Sequence, residues 1–164
     1  MKRFTRRQFI KAGLGGSALL LTAGCTRGEP HVDVLHALIP VVLAGALPAE
    51  GAARVIAIKE TVEAFQRAVS GLTPAVQDEI GQLLSLLAFA PTRILVAGVG
   101  SPWSAASAEE IGAFLHRWRD SRFELKRSGS RALTQLIQGA WYDNPLAWTV
   151  IGYPGPPALE AARS

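Results

Sequence analysis

Apolar residues recur along this chain at the spacing of a helix face. Ile58, Val62, Phe65 and Val69 are separated by four, three and four positions, and they mark a helix over residues 50–69. Gly71 stands where that helix would stop. Thr73-Pro74 then has the form of an N-cap followed by proline at the first helical position. Val76, Ile80, Leu83, Leu84 and Leu87 form the stripe of the next helix, and Pro91 closes it. Ser107-Ala108-Glu109-Glu110 is a capping box, leading into a helix with Ile111, Phe114, Leu115 and Trp118 on one face that runs to about Asp120. Ser121 and Glu124 make a second box. Gly129 interrupts that segment before Leu133, Leu136, Ile137, Ala140 and Trp141 resume the pattern. Upstream, residues 31–47 are apolar and read as helix, with Pro40 expected to end or kink it near Ile39.

Two stretches are less regular. Ile94-Leu95-Val96-Ala97-Gly98-Val99 fits a strand or a short buried helix, and periodicity does not separate them. Helix is preferred, because no second convincing strand exists to pair with it. From Asp143 onward Pro145, Gly152, Pro154, Gly155, Pro156 and Pro157 predict an irregular loop. The pattern predicts an all-α fold: a small helical bundle over residues 31–164, with a Pro/Gly/aromatic C-terminal loop at 143–164.

Composition supports one packed domain. The chain has 164 residues, 49% hydrophobic and 18% charged, enough apolar material for a core. The net charge of +4 changes meaning once it is located. Lys2, Arg3, Arg6, Arg7 and Lys11 all fall in the first eleven residues, and no acid precedes Cys25. From Cys25 onward twelve basic residues face thirteen acidic ones, a net charge of −1. The high isoelectric point thus belongs to the N-terminus, and nucleic acid is not expected as a partner.

That N-terminus reads as an address. Thr5-Arg6-Arg7-Gln8-Phe9-Ile10-Lys11 resembles the twin-arginine export signal, Ser/Thr-Arg-Arg-x-Phe-Leu-Lys, with Arg6, Arg7, Phe9 and Lys11 at the matching positions. A Gly/Ala-rich apolar stretch from Ala12 to Ala23 follows. It is shorter than the roughly 20 residues that span a bilayer, so residues 1–24 are expected to be a signal peptide. Cys25, the single cysteine, follows Leu21-Thr22-Ala23-Gly24, which resembles a lipobox, although Thr22 stands where leucine is usual. Lipidation there would anchor the chain to the membrane through a tether at 25–30. The alternative is simple cleavage nearby. One cysteine excludes an internal disulfide and a cysteine-cluster metal site.

Candidate chemistry is sparse. His31 and His36 are five apart, a poor spacing for one helix face, and no acid completes a metal set. Gly98-Val99-Gly100-Ser101-Pro102 lacks the third glycine of a dinucleotide fingerprint, and no nucleophile elbow, phosphate loop or zinc-protease motif is present. No catalytic residue, cofactor or metal is expected. The basic set Arg117, Arg119, Arg122, Lys126, Arg127 and Arg131, beside His116, could meet an acidic partner or anionic lipid. With Asp120 and Glu124 interleaved, it is read as a solvated helix face.

The most distinctive segment runs from Trp141 to Pro156. Two tryptophans and two tyrosines fall within thirteen residues of a Pro/Gly-punctuated stretch. Such aromatics serve as interface anchors or as caps folded back on a core. The candidate partner-binding residues are Trp141, Tyr142, Trp148, Gly152, Tyr153, Pro154 and Gly155, of which Trp141 ends an apolar stripe and is the nearest to core.

With the twin-arginine leader and the helical body, this segment resembles the gluconate 2-dehydrogenase subunit 3 family, the small or gamma subunits of periplasmic flavin dehydrogenases. The family motif reads Tyr-Gly-Gly-Asn, a spacer, Trp, then Gly-Tyr/Phe-Pro-Gly. Here Tyr142 and Asn144 match the first part, and Trp148 with Ile151-Gly152-Tyr153-Pro154-Gly155 the second. Asp143 alone replaces the Gly-Gly pair, and the spacer is shorter. The resemblance implies a non-catalytic subunit. Its partner would be a large FAD-containing subunit of the glucose-methanol-choline (GMC) oxidoreductase type that lacks a leader, a multihaem cytochrome c subunit would be a further partner, and the folded pair would cross the twin-arginine translocase into the periplasm. The alternatives are a free-standing exported lipoprotein that binds a ligand or envelope protein, which a buried aromatic C-terminus would favour, and an enzyme, which a deep pocket with clustered titratable groups would favour.

Overall fold

The computed structural model describes residues 30–152 and Pro154. The leader, Cys25, Tyr153 and Gly155 lie outside the described residues. Among those described there are seven α-helices and no strand, so the fold is all-α. They are α1 (Pro30–Val42), α2 (Ala52–Ser70), α3 (Pro74–Ala88), α4 (Ala90–Thr92), α5 (Ala108–Arg119), α6 (Glu124–Tyr142) and α7 (Pro145–Ile151). A π-helical turn, Arg93–Ala97, extends α4, and a 3-10 turn, Trp103–Ala105, precedes α5.

Helix α1 is the hub. It packs against α2, α3, α5, α6 and the 3-10 turn. Its Val34, Leu35, Leu38 and Ile39 are all sealed from solvent, since an apolar stripe this continuous is stable only when covered on several sides. It opens at Pro30, one residue inside the expected tether, and Pro at a helix start gives up only a donor that had no partner. Pro40 does not end it at Ile39. The helix runs on to Val42, with the proline in its last turn.

The remaining stripes pack on this hub. Val62 and Phe65 of α2, Ile80, Leu84 and Leu87 of α3, and Leu133, Ile137, Ala140 and Trp141 of α6 are buried; Val76 is exposed. The longest helix contact is between α2 and α6. Buried Thr61 meets its polar requirement within its own helix, donating to the Ala57 carbonyl at 2.7 Å. Thr73 and Pro74 start α3 as expected. That helix ends at Ala88, where Phe89 turns extended, two residues ahead of Pro91.

Local rules and the structure differ between α5 and α6. Ser107 caps α5, its Oγ accepting from Glu110 N at 3.2 Å. The Glu110 carboxylate completes no box. It turns outward to accept from the backbone N–H groups of Gly100 and Ser101, at 2.6 and 3.2 Å. Ser121 and Glu124 form no capping box either. Phe123 occupies the N-cap position, Ser121 Oγ accepts from Phe123 N, and Glu124 pairs with Arg127. Gly129 does not interrupt α6. A Cβ there would lie 3.1 Å from Trp118 Cζ3, so the missing side chain lets the Trp118 ring lie against the helix. Phe114 bridges Trp118 and Trp103 by edge-to-face contacts, with ring centroids 5.0 and 6.0 Å away.

Candidate partner-binding surface

The C-terminal segment departs from the expected loop. Residues 145–151 form α7, started by Pro145 at its first turn and stopped by Gly152 in the left-handed conformation, φ +69°. Proline and glycine here act as start and stop signals for a short helix, which a count of loop-forming residues does not distinguish from coil.

Asn144 positions this helix with both ends of its amide. Its Oδ1 accepts from Leu146 N at 2.9 Å, capping α7. Its Nδ2 donates to Glu60 Oε2 on α2 at 2.7 Å, a charge-assisted bond. A groove of about 310 Å³ lies beside that tie, lined by Glu60, Glu63, Arg67, Asp143, Asn144 and Pro145. Four of those six side chains carry charge, three of them acidic.

The aromatic candidates divide. Trp141 is fully buried, so the expectation that it binds a partner is corrected: it is a core residue. Its Nε1 has no hydrogen-bond partner among the described residues. Tyr142, one position on, is exposed, as is Leu146. Trp148 sits between the two cases. It is half-buried against the core, and its Nε1 donates to the Tyr142 carbonyl at 2.9 Å, closing the last turn of α6 over α7. Gly152 and Pro154 are exposed. Arg6, Arg7, Phe9, Lys11, Cys25, Tyr153 and Gly155 lie outside the described residues. The structure thus brings Tyr142, Leu146 and Trp148 to the end of α6, on a mount that Asn144 fixes to α2.

The basic set is more than a solvated face. Arg117 Nη2 donates to the carbonyls of Ala97 and Gly98, at 2.9 and 3.2 Å. Lys126 Nζ donates to the Val96 carbonyl at 3.3 Å, which Trp118 Nε1 also reaches at 3.1 Å. These cations satisfy and neutralise the carbonyl end of the π-helical turn. Arg119 pairs with Asp120, whose carboxyl that hydrogen bond holds below the usual range. His116 Nδ1 lies 2.9 Å from Arg119 Nη2. The periodicity of α5 and α6 placed these side chains outside the core. Their targets are up to thirty residues away in sequence, and no local signal names them.

A second cavity, of about 300 Å³, opens between α1 and the 3-10 turn, with Asp33, His36, Pro40, Trp103 and Ser104 in its wall. His31 Nε2 lies 2.9 Å from Ser85 Oγ, away from it. Among the described residues, no three His, Cys, Asp or Glu side chains are grouped as a metal site would need, and no single helix is long and apolar enough to cross a membrane. In comparisons with protein families, curated proteins and solved structures, nothing matches this chain.

Proposed function

We propose that the chain is a non-catalytic small subunit that carries a leaderless FAD-dependent, GMC-type dehydrogenase through twin-arginine export and stabilises it afterwards. The observation that carries the reading is the exposed apolar pair Tyr142 and Leu146, held at the end of α6 by the two-ended Asn144. Exposed aromatic and aliphatic side chains on a fixed backbone lose little entropy on binding, which is what an interface hot spot needs. The Arg6-Arg7 pair adds the export route, and Cys25 a means of staying at the membrane.

Co-expression with a leaderless GMC-type flavin dehydrogenase tests it. Both proteins should reach the periplasm together, and Arg6→Lys with Arg7→Lys should leave both inside, because lysine lacks the planar guanidinium fork. Tyr142→Ala with Leu146→Ala should weaken co-purification about thirtyfold, the effect of losing roughly 2 kcal/mol of contact. The exposure of both residues leaves the fold of the isolated chain intact. Undiminished co-purification of that variant, or export of the flavin protein without this chain, overturns the proposal.

A further inference from the structure

The opposite end of α6 carries a second apolar cluster, set among cations, and we propose that it docks on an anionic lipid surface. Leu95 and Leu125 are the two most exposed large apolar side chains among the described residues, at 83% and 82%; Phe123, Ile94 and Phe89 are each half exposed or more. Four of the five come from two turns that the fold joins, and Phe89 lies just ahead of the first. Leu95 and Ile94 ride the π-helical turn, while Phe123 and Leu125 open α6. Lys126 spans the gap: its Nζ holds the Val96 carbonyl at 3.3 Å and lies 6.0 Å from the centre of the Phe123 ring.

The charge around these tips is one-sided. Residues 117–131 hold six cations against Asp120 and Glu124, a net +4 in a chain that totals −1 from Cys25 onward. Both acids are paired, with Arg119 and Arg127. Arg122 lies over the Phe123 ring, 4.9 Å from its centre. Leucine and phenylalanine tips fringed by arginine and lysine match the boundary of a bilayer, where acyl chains meet anionic phosphates.

The observations favour lipid over an acidic protein. The exposed tips project from turns, and both cavities lie elsewhere. A fluid bilayer accepts scattered apolar tips, whereas a folded partner needs a complementary groove for each. Pro74–Ala88 turns its Ile80, Leu84 and Leu87 into the core, so the lipid-facing apolar groups here are the exposed tips at Phe89, Ile94 and Leu95.

The test uses the full chain with Cys25→Ser, so that a single thiol can be placed at Leu95→Cys, Leu125→Cys or, as control, Gln138→Cys on exposed α6 surface. Each is labelled with nitrobenzoxadiazole and mixed with vesicles of phosphatidylglycerol and phosphatidylcholine in equal parts, or of phosphatidylcholine alone. Fluorescence should rise and shift to the blue at 95 and 125 on the anionic vesicles only, with no change at 138. In a chain whose leader cations are replaced by glutamine, Leu95→Ser with Leu125→Ser should lower vesicle partition about tenfold or more. Both positions are over 80% exposed, so the fold is retained. Vesicle binding without any change at 95 and 125 means that the leader alone carries the chain, and overturns the proposal. So do labels that stay dark on vesicles but respond to polyglutamate, which would assign the surface to an acidic protein.

Discussion

Helix α6 has 19 residues, about 28 Å at 1.5 Å per residue, and its two ends present apolar side chains in opposite electrostatic settings. At the C-terminal end Tyr142 and Leu146 flank Asp143, Asn144 and Pro145, which line a groove with Glu60 and Glu63, and a neutral amide, Asn144, fixes the geometry. At the N-terminal end Phe123 and Leu125 sit among arginines and Lys126, and cations on carbonyls fix the geometry. The same kind of exposed apolar group therefore has two kinds of neighbourhood, and the neighbourhood decides what can cover it. An acidic rim repels anionic lipid and suits a protein surface; a basic fringe attracts it. If both proposals hold, one helix between the two would let the chain engage a partner at one end and a surface at the other without mutual interference.

The largest effect that bears on this comparison concerns the core behind the acidic end. Trp141→Ala should cost about 3–5 kcal/mol, the usual loss for truncating a buried tryptophan, read as a fall in the denaturant midpoint. Trp141→Phe should cost much less, because the indole N–H gives up no partner among the described residues. If alanine is tolerated there, Trp141 is not the support on which Tyr142 and α7 rest.

The two ends also share a device that should respond unequally. Gly98 closes the π-helical turn at φ +67° and Gly152 closes α7 at φ +69°, both in the region where a side chain costs about 1–2 kcal/mol. A Cβ on Gly152 meets nothing within 4 Å, whereas one on Gly98 would lie 2.8 Å from Arg117 Nη2. Gly152→Ala should therefore show the backbone cost alone. Gly98→Ala should exceed it by about 1 kcal/mol, because it also pushes Arg117 off its carbonyls. Equal losses at the two sites would mean that the Arg117 bonds add nothing to the basic end.

Much of this was legible beforehand, and the failures share a cause. The stripes Ile80-Leu84-Leu87, Ile111-Phe114-Trp118 and Leu133-Ile137-Trp141 are buried as their spacing predicts, because a helix face needs only local sequence to define it. The choice of helix for residues 94–99 agrees, in π-helical form, for residues 94–97, but the turn is not the buried one expected, since Ile94 and Leu95 are exposed. What failed was the reading of signals that depend on a distant partner. Glu110 leaves its capping box for Gly100 and Ser101, Gly129 stays helical because Trp118 needs its space, and α7 forms where Asn144 can reach Glu60 eighty-four residues away. At the candidate surface the stripe already placed Trp141 nearest to core, and it is buried. What the sequence did not reveal was α7 itself and the bond from Trp148 to the Tyr142 carbonyl, which depend on how the chain turns at Asn144.

Asn144 gives a smaller but local effect. Asn144→Ala removes the α7 cap and the bond to Glu60, and should cost about 1 kcal/mol of global stability. The larger change should be in amide exchange, which speeds up within 145–151 while α5 and the π-helical turn keep their protection. Asn144→Asp separates the two roles, since it keeps a capping oxygen and sets a carboxylate against Glu60. If exchange stays slow in the aspartate variant, the cap alone holds α7 and the tie to α2 is dispensable.

The smallest effect is at the basic end, where Glu110 supports the loop that follows the π-helical turn. The N–H groups of Ser101 and Gly100 stabilise its charged form and hold its carboxyl below the usual range, with Arg93 adding a smaller pull in the same direction. A group whose folded pKa is depressed contributes stability that is present above its unfolded value and is lost as pH falls through the folded one. Acidification from neutral should therefore loosen residues 98–102 below the ordinary glutamate range, and Glu110→Gln should remove that dependence by giving at neutral pH the looser loop that the parent reaches only in acid. Amide exchange at Gly100 and Ser101, followed against pH in both proteins, measures it. Because Arg117 and Lys126 hold the neighbouring carbonyls by bonds that do not involve Glu110, the basic fringe should keep its geometry throughout. If its protection falls together with that of Gly100, Glu110 supports the whole basic end and not only the loop.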